Sequence, residues 1–144
     1  MKILIMGLPG SGKTTLAEKL FNEIIKNHHA EWINADDLRN ECNDWDFSPE
    51  GRRRQALRMR AIADAGSAKD FVMICDFVCP TRELRGVFDA DFTVWMDTIP
   101  KSRYKDTNSM FEKLTKEEYD IRIDEFNSDS WSATIADLIH MIKE

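Results

Sequence analysis

The chain has 144 residues, of which 42% are hydrophobic and 32% are charged, and its formal net charge is −6. This composition suits one folded domain and excludes a disordered tail and a fibrous repeat, and no apolar run approaches the length of about 20 residues that a membrane span needs. The negative charge argues against nonspecific binding to nucleic acid, and three cysteines are too few for a disulfide framework. The opening residues MKILIMG lack the pattern of a signal peptide, so we expect one cytoplasmic domain over residues 1–144, without membrane association.

Short apolar runs alternate with segments of helical periodicity along the chain. Three apolar runs of strand length, residues 2–6, 71–77 and 92–96, are predicted to be strands of a covered sheet, and residues 32–34 are predicted to be a further short strand. Three segments are predicted to be helices: residues 13–26, a stretch that begins at Ser48-Pro49, and a C-terminal stretch that carries Trp131 and Ile135. This alternation predicts an α/β fold with a mainly parallel sheet and helices on both faces.

Residues 7–14, GLPGSGKT, match the pattern G-x-x-x-x-G-K-[ST] at every fixed position. The motif follows the first predicted strand and opens a helix, which is the context of a phosphate-binding loop. Its glycines let backbone N–H groups surround phosphate oxygens, while Lys13 can reach the β and γ phosphates and Thr14 can bind Mg²⁺. We therefore expect a P-loop NTPase fold that binds ATP and Mg²⁺. The expected nucleotide-binding residues are Gly7, Leu8, Pro9, Gly10, Ser11, Gly12, Lys13, Thr14 and Thr15.

The segment WINADDLR at 32–39 leaves a short strand and places Asp36, Asp37 and Arg39 at the carboxyl end of the sheet. Ligands of α/β proteins bind at this edge. A carboxylate there can accept the proton of an acceptor hydroxyl, and an arginine can hold an anionic group. Asp36 is the expected base, and the alternative is that Asp36 or Asp37 only caps the helix that follows. The absence of an N-K-x-D guanine motif and of long insertions favours a small kinase over a GTPase or a motor.

Asp76 ends the apolar run FVMIC, which is the usual position of a carboxylate that organises Mg²⁺. Asp97 ends FTVWM in the same way and is the rival, and either residue could instead bind loop backbone. Lys13, Asp36 and Asp76 are thus the expected catalytic residues, with Thr14 and Asp76 at the metal. Lys101, Arg103 and Lys105 follow the fourth strand, where small kinases carry a lid.

Four segments, GLPGSGKTT, DFSPEGR, FVCPTRELR and VWMDT, resemble the adenylylsulfate kinase family. That family has GLSGSGKST, GFSxEDRxxN, FISPYRxxR and VFVDT in the same order, and the resemblance extends from residue 2 to about residue 112. It implies transfer of the γ-phosphate of ATP to a hydroxyl of adenylylsulfate or a similar small nucleotide, and it is compatible with a homodimer. The expected acceptor-binding residues are Asp36, Arg39, Phe47, Arg52, Gln55, Phe77, Val78 and Pro80. Arg52 is the member of the run Arg52, Arg53, Arg54, Arg58 and Arg60 that we expect to contact substrate.

Departures from the family pattern cluster on the acceptor side. Gln55 replaces an asparagine, Cys79 replaces a serine, and Asp76 stands where the family usually has no acid. The family segment DGDNVR corresponds here to residues 34–39, which begin with asparagine. WINADDLR also resembles the I-N-x-D-D-x-R segment of polynucleotide 5′-hydroxyl kinases, in which the first aspartate is the general base. A hydroxyl on nucleic acid, either a 5′ end or a hydroxymethylpyrimidine in DNA as in related phage kinases, is therefore the alternative acceptor, and both resemblances assign the base to Asp36.

Overall fold

A single parallel sheet forms the centre of the protein. The structure is a computed structural model that describes residues 1–127 and 129–143. Its strands are β1 Lys2–Met6, β2 Ala30–Asn34, β3 Val72–Asp76, β4 Phe92–Met96 and β5 Ile121–Ile123. Within the described residues they form one parallel sheet in the order β2-β3-β1-β4-β5. The first four match the predicted strands, whereas β5 is too short to give a periodic signal.

Helices connect the strands and cover both faces of the sheet. They are α1 Lys13–Ile24, α2 Ala35–Cys42, α3 Pro49–Ser67, α4 Arg82–Phe88, α5 Lys105–Met110 and α6 Ser132–Lys143. The helix predicted at Ser48-Pro49 is confirmed, because Ser48 Oγ accepts the N–H of Gly51 at 3.2 Å as an N-cap. Helices α4 and α5 have seven and six residues, which is too few for an amphipathic pattern to identify them.

Two hydrophobic layers enclose the sheet. Along β1, Ile3 and Ile5 pack into a cluster with α1 and α6, while Leu4 and Met6 pack into a cluster with α3 and α4 on the other face. This alternation follows from the two-residue period of a strand. The doubly covered parallel sheet confirms the predicted α/β P-loop NTPase fold.

The topology brings the polar segments predicted from sequence to one edge of the sheet. All strands run in the same direction, so the residues that follow β1, β2, β3 and β4 emerge at a common edge. Strand β1 pairs with β3 and β4, and in the β2–β3 pair Asn34 stands opposite Asp76. No helix in the part of the chain described here is long and apolar enough to cross a membrane.

Candidate active site

The loop between β1 and α1 depends on glycine at two close contacts. Gly7 has φ +152°, and a Cβ there would lie 2.6 Å from the carbonyl oxygen of Met96. Gly12 has φ +97°, and a Cβ there would lie 2.6 Å from the ring of the fully buried Trp131. A side chain at either position would have to move the loop, so the glycines of the motif are required by local geometry as well as by phosphate chemistry.

Lys13 is the first residue of α1, and its side chain folds back over the loop. Its Nζ donates to the carbonyl oxygen of Leu8 at 3.0 Å. Burial lowers the pKa of Lys13 to about 8, although the negative charges of Asp76 and Asp36 act in the opposite direction. The amine is thus held inside the loop near the carboxylates predicted to share the site.

Asp76 is buried at the end of β3 and accepts hydrogen bonds on both carboxylate oxygens. Its Oδ2 accepts from the indole N–H of Trp32 at 2.6 Å, and its Oδ1 accepts from Asn34 Nδ2 at 3.0 Å. The hydroxyl of Thr14 donates to the same Oδ1 at 3.4 Å. Burial raises the pKa of Asp76, while the bonds from Trp32 and Asn34, the charge of Lys13 and the bond from Thr14 oppose that shift.

Trp32 and Asn34 were not among the site residues predicted from sequence. A two-residue period places their side chains on the same face of β2, and the register places Asn34 opposite Asp76. The period is visible in the sequence, but the register between β2 and β3 is not. These two donors therefore become recognisable only once the strands are paired.

The oxygens at this point suit Mg²⁺. Thr14 Oγ1 and Asp76 Oδ1 lie 3.4 Å apart, and both are hard ligands. No group of three or more His, Cys, Asp and Glu side chains able to hold a metal occurs in residues 1–127 and 129–143. Mg²⁺ bound with nucleotide needs only one or two protein ligands beside phosphate and water, so the residues present fit this ion. The rival Asp97 is paired with Arg122 at 2.7 Å and does not line the cleft.

Asp36 lies in the first turn of α2 and is exposed along the cleft. The cap of this helix is neither Asp36 nor Asp37 but Asn34, whose Oδ1 accepts the N–H of Asp37 at 3.0 Å. The alternative in which Asp36 is only a capping residue is therefore excluded by the structure. Asp37 is also exposed, but it does not line the cleft.

One cleft of about 1370 Å³ joins the phosphate loop to the residues expected to bind the acceptor. Pro9, Gly10, Lys13, Thr14 and Asp76 line its nucleotide end. All eight expected acceptor residues line it as well: Asp36, Arg39, Phe47, Arg52, Gln55, Phe77, Val78 and Pro80. Its volume exceeds the roughly 300–1,000 Å³ of an ordinary ligand pocket, which leaves room for two ligands.

The remaining residues of the predicted phosphate loop lie around this end of the cleft. Gly7, Leu8 and Ser11 are buried within the loop itself. Gly12 and Thr15 line a smaller hollow of about 290 Å³ together with the exposed ring of Phe126, a residue that sequence analysis did not identify.

Two of the expected acceptor residues are largely engaged by the protein. Arg39 is buried, and its Nη1 donates to the carbonyl oxygens of Asp44 and Asp46 at 3.0 and 3.1 Å. Its guanidinium also lies 4.3 Å from the ring centre of Phe47, so Arg39 holds the loop that presents this half-exposed ring.

Gln55 is engaged in the same way, between α2 and α3. Its Nε2 donates to the carbonyl oxygen of Ala35 at 2.9 Å, and its Oε1 accepts from Arg58 at 2.6 Å. The geometry gives Gln55 a role in building the cleft wall.

Arg52 is the one residue among the five arginines of the run that lines the cleft. Its Nε donates to the carbonyl oxygen of Phe47 at 3.0 Å, and its Nη2 donates to Thr107 Oγ1 at 3.2 Å. The other four form ion pairs within the fold: Arg53 with Glu83, Arg54 and Arg58 with Asp44, and Arg60 with Asp64.

The segment after β4 supplies the remaining wall. Lys101, Arg103 and Lys105 all line the cleft, and α5 begins at Lys105. Trp45 also lines the cleft and is half exposed, with its ring centre 6.5 Å from that of Phe47. Trp45 could not be recognised as a cleft residue from the sequence, because nothing in the pattern distinguishes an exposed tryptophan from a buried one.

The parallel sheet, the phosphate loop and the paired Thr14 and Asp76 define an α/β protein of the P-loop NTPase class. The sequence model of the family described as adenylylsulphate kinase matches residues 1–118. The chain belongs to this family.

Curated relatives carry the same family name. The chain is 32% identical over 87 residues to the probable adenylyl-sulfate kinase of Aeropyrum pernix, covering 59% of this chain and 48% of that protein. It is also 32% identical over 90 residues to the adenylyl-sulfate kinase of Shewanella baltica, covering 61% of this chain and 44% of that protein. The chain thus matches about half the length of these relatives.

Solved structures show the same fold at lower identity. The APS kinase of Mycobacterium tuberculosis in complex with AMPPNP and APS superposes with a TM-score of 0.82, at 21% identity and 96% coverage of both chains. A gluconokinase from Sinorhizobium meliloti superposes with a TM-score of 0.64, at 16% identity, covering 99% of this chain and 95% of that one. The fold is therefore shared with kinases of different acceptors, and the acceptor must be argued from the site.

Proposed function

We propose that this protein is an ATP-dependent kinase that transfers the γ-phosphoryl group to a hydroxyl of adenylylsulfate. One observation carries the proposal: the acceptor residues expected from the family pattern come from three separate segments, residues 36–39, 47–55 and 77–80, and line the same cleft as Lys13 and Thr14. Membership of the adenylylsulphate kinase family, shown over residues 1–118, supports the choice of acceptor.

The nucleotide end of the cleft binds the phosphates of ATP. Backbone N–H groups of the loop and the N-terminus of α1 face the phosphate oxygens, and the ammonium of Lys13 contacts the β and γ phosphates. Thr14 and Asp76 would hold Mg²⁺, which neutralises phosphate charge when bound. Contact with phosphate restores a favourable environment for the Lys13 ammonium, whose pKa is lowered by burial in the protein alone.

Asp36 is the general base of the proposed reaction. Its carboxylate accepts the proton of the acceptor hydroxyl, whose oxygen forms a bond to the γ-phosphorus while the bond from that phosphorus to the β–γ bridging oxygen breaks. ADP leaves with the electrons of the broken bond. Asp36 and Lys13 line the same cleft, as a base close to the transferred group requires.

The far end of the cleft binds the acceptor. The half-exposed ring of Phe47 offers a stacking surface for a base, and the guanidinium of Arg52 offers charge for the anionic phosphosulfate. Phe77, Val78 and Pro80 form an apolar wall beside them. Lys101, Arg103 and Lys105 bring positive charge to the cleft, where one of them can stabilise the charge of the transferring phosphate.

An acceptor screen with γ-labelled ATP and Mg²⁺ tests the proposal. Adenylylsulfate, oligonucleotides with free 5′ hydroxyls and DNA containing hydroxymethylpyrimidines are compared at equal hydroxyl concentration. We expect label on adenylylsulfate and none on either nucleic acid. Transfer to nucleic acid without transfer to adenylylsulfate would overturn the assignment.

A further inference from the structure

The end of strand β2 carries two hydrogen-bond donors that the proposed reaction does not use. Trp32 and Asn34 are two residues apart on the same face of the strand, and both donate to Asp76 on the neighbouring strand. The bond from the indole N–H is 2.6 Å long, which is short for an N–H donor.

The donors divide the carboxylate between them. Trp32 holds Oδ2, while Asn34 and Thr14 hold Oδ1, so rotation of the carboxyl group about its Cβ–Cγ bond would break bonds on both oxygens. Asp76 Oδ1 therefore accepts hydrogen bonds from both Thr14 and Asn34. The predicted metal ligands are held together by this arrangement.

The donors are themselves fixed in position. The amide of Asn34 is used at both ends, because its Oδ1 accepts the N–H of Asp37 at the start of α2 while its Nδ2 donates to Asp76. The indole of Trp32 packs against Phe21 of α1, with ring centres 6.4 Å apart, and against the core cluster that includes α1. Neither donor can turn away without losing a second contact.

We propose that Trp32 and Asn34 are positioning residues that orient the Asp76 carboxylate toward Thr14 for Mg²⁺, so that β2, which ends in an amide, contributes hydrogen-bond donors to a carboxylate on β3. This inference rests on the proposed binding of nucleotide with Mg²⁺. It goes beyond the proposed function because it assigns a role to two residues outside the expected site. Fixing the orientation of this carboxylate in the fold avoids an ordering cost when the ion binds.

A purely structural role predicts a different result. Trp32 lies half-buried on an edge strand, where its N–H could also be solvated, and the bonds to Asp76 could serve only to satisfy polar groups. Loss of those bonds would then lower stability and leave the Mg²⁺ requirement of nucleotide binding unchanged. The two roles are separated by measuring metal dependence and stability in the same variants.

The test uses the full chain and ADP, without an acceptor. Calorimetric titration of Mg²⁺ at a fixed ADP concentration gives the Mg²⁺ concentration at which ADP binding is half-maximal. A second titration, of ADP in the presence of a chelator, gives the affinity for ADP without metal. For Trp32→Phe, which keeps an aromatic ring and removes the N–H, we expect the Mg²⁺ requirement to rise about tenfold, the size of effect typical of residues that orient metal ligands. Affinity for ADP without metal should remain that of the parent.

Trp95→Phe is the matched control, because Trp95 lies on β4 and packs against Tyr119 with ring centres 5.7 Å apart. It should leave the Mg²⁺ requirement unchanged. Asn34→Ser is a second variant that retains a capping oxygen for α2 but removes the amide donor, and it should raise the requirement in the same direction.

Unchanged Mg²⁺ dependence in folded Trp32→Phe and Asn34→Ser would overturn the inference. If Trp32→Phe does not fold, Asn34→Ser alone decides. Because no adenylylsulfate is present, failure of the proposed acceptor in the transfer assay would not alter this result. If the unmodified protein shows no Mg²⁺-dependent binding of ADP, the nucleotide site on which both proposals rest is rejected.

Discussion

Asn34 and Asp76 stand opposite each other at the ends of adjacent parallel strands, with Asn34 Nδ2 3.0 Å from Asp76 Oδ1. The family segment that corresponds to residues 34–39 begins with aspartate, whereas the position of Asp76 usually carries no acid in that family. This protein and the family pattern therefore each have one carboxylate at these two positions. It lies at the end of β3 in this protein and at the end of β2 in the family pattern.

This relationship predicts the effect of exchanging the two side chains. Asp76→Asn alone should raise the Mg²⁺ requirement of ADP binding about 10- to 100-fold, because the metal-organising carboxylate is lost. The double variant Asn34→Asp/Asp76→Asn should recover most of that loss. The new amide at position 76 can accept from Trp32 and donate to the new carboxylate, so each hydrogen bond keeps a donor and an acceptor.

Calorimetric titration of Mg²⁺ at fixed ADP compares the parent, the single variant and the exchange. Asn34→Asp alone places two carboxylates side by side and serves as the control for added charge. If the double variant is no better than Asp76→Asn, the carboxylate is required on β3 and the two positions are not equivalent.

The buried amine of Lys13 predicts how nucleotide affinity depends on pH. Its pKa of about 8 means that the amine is charged below pH 8 and loses its charge above it. Because only the charged form attracts phosphate, ATP affinity should be constant from about pH 7 to 7.5 and fall by up to about tenfold per pH unit above pH 8. Equilibrium binding between pH 7 and 10 measures this dependence.

Two variants check the assignment to Lys13. Lys13→Arg keeps its charge over the whole range, so the fall in affinity above pH 8 should disappear. Lys13→Ala should weaken ATP binding at all pH values and abolish phosphoryl transfer. Full transfer by Lys13→Ala would contradict the kinase mechanism itself.

Asp36→Asn preserves the shape of the proposed base and removes its ability to accept a proton. We expect kcat to fall about 10²- to 10⁴-fold with nearly unchanged ATP affinity. The adjacent Asp37→Asn is the matched control, because Asp37 is exposed on the same turn but does not line the cleft. Steady-state transfer to adenylylsulfate gives kcat for both variants. Equal losses of kcat would show that the negative charge of this turn is required, and would contradict the assignment of Asp36 as a base.

Arg52→Ala should weaken acceptor binding through loss of a charged contact. KM for adenylylsulfate should rise about 10- to 100-fold, and KM for ATP should change little. Arg53→Ala is the control, because Arg53 is exposed and paired with Glu83 outside the cleft.

The salt dependence of acceptor binding offers an independent check on the acceptor class. A small dianion should give a shallow dependence, whereas a polymer that contacts several basic side chains gives a steep one. A steep slope combined with unchanged KM in Arg52→Ala would count against adenylylsulfate as the acceptor.

The phosphate loop and the strand ends could be predicted because their signals are contiguous in sequence. The loop motif lies within residues 7–14, and Asp76 was recognised as an acid that closes an apolar run. In the structure Asp76 lies beside Thr14, with their oxygens 3.4 Å apart, whereas Asp97 is paired with Arg122. A local sequence pattern is sufficient to predict a site residue when the features that identify the residue lie within one contiguous segment.

The partners of the predicted side chains could not be predicted in the same way. Arg39 was expected to hold an anionic group, yet its Nη1 is bonded to two carbonyl oxygens of the loop that follows α2. Trp32 was predicted only to lie on a short strand, because its role as a donor depends on how β2 aligns with β3. Contacts between segments distant in sequence decide which polar groups remain available to a ligand.

The contact between Gly12 and Trp131 has a consequence for the limits of the catalytic unit. Trp131 lies 13 residues beyond the stretch that matches the family, yet its ring abuts the glycine before Lys13 and packs among core residues from α1 and β1. Trp131 therefore supports the anion-binding loop from behind, and we expect a fragment that ends at residue 118 to lose nucleotide affinity although it keeps every proposed reacting group. A fragment that ends where the family match ends, at residue 118, would lack Trp131 and with it the packing behind the phosphate loop.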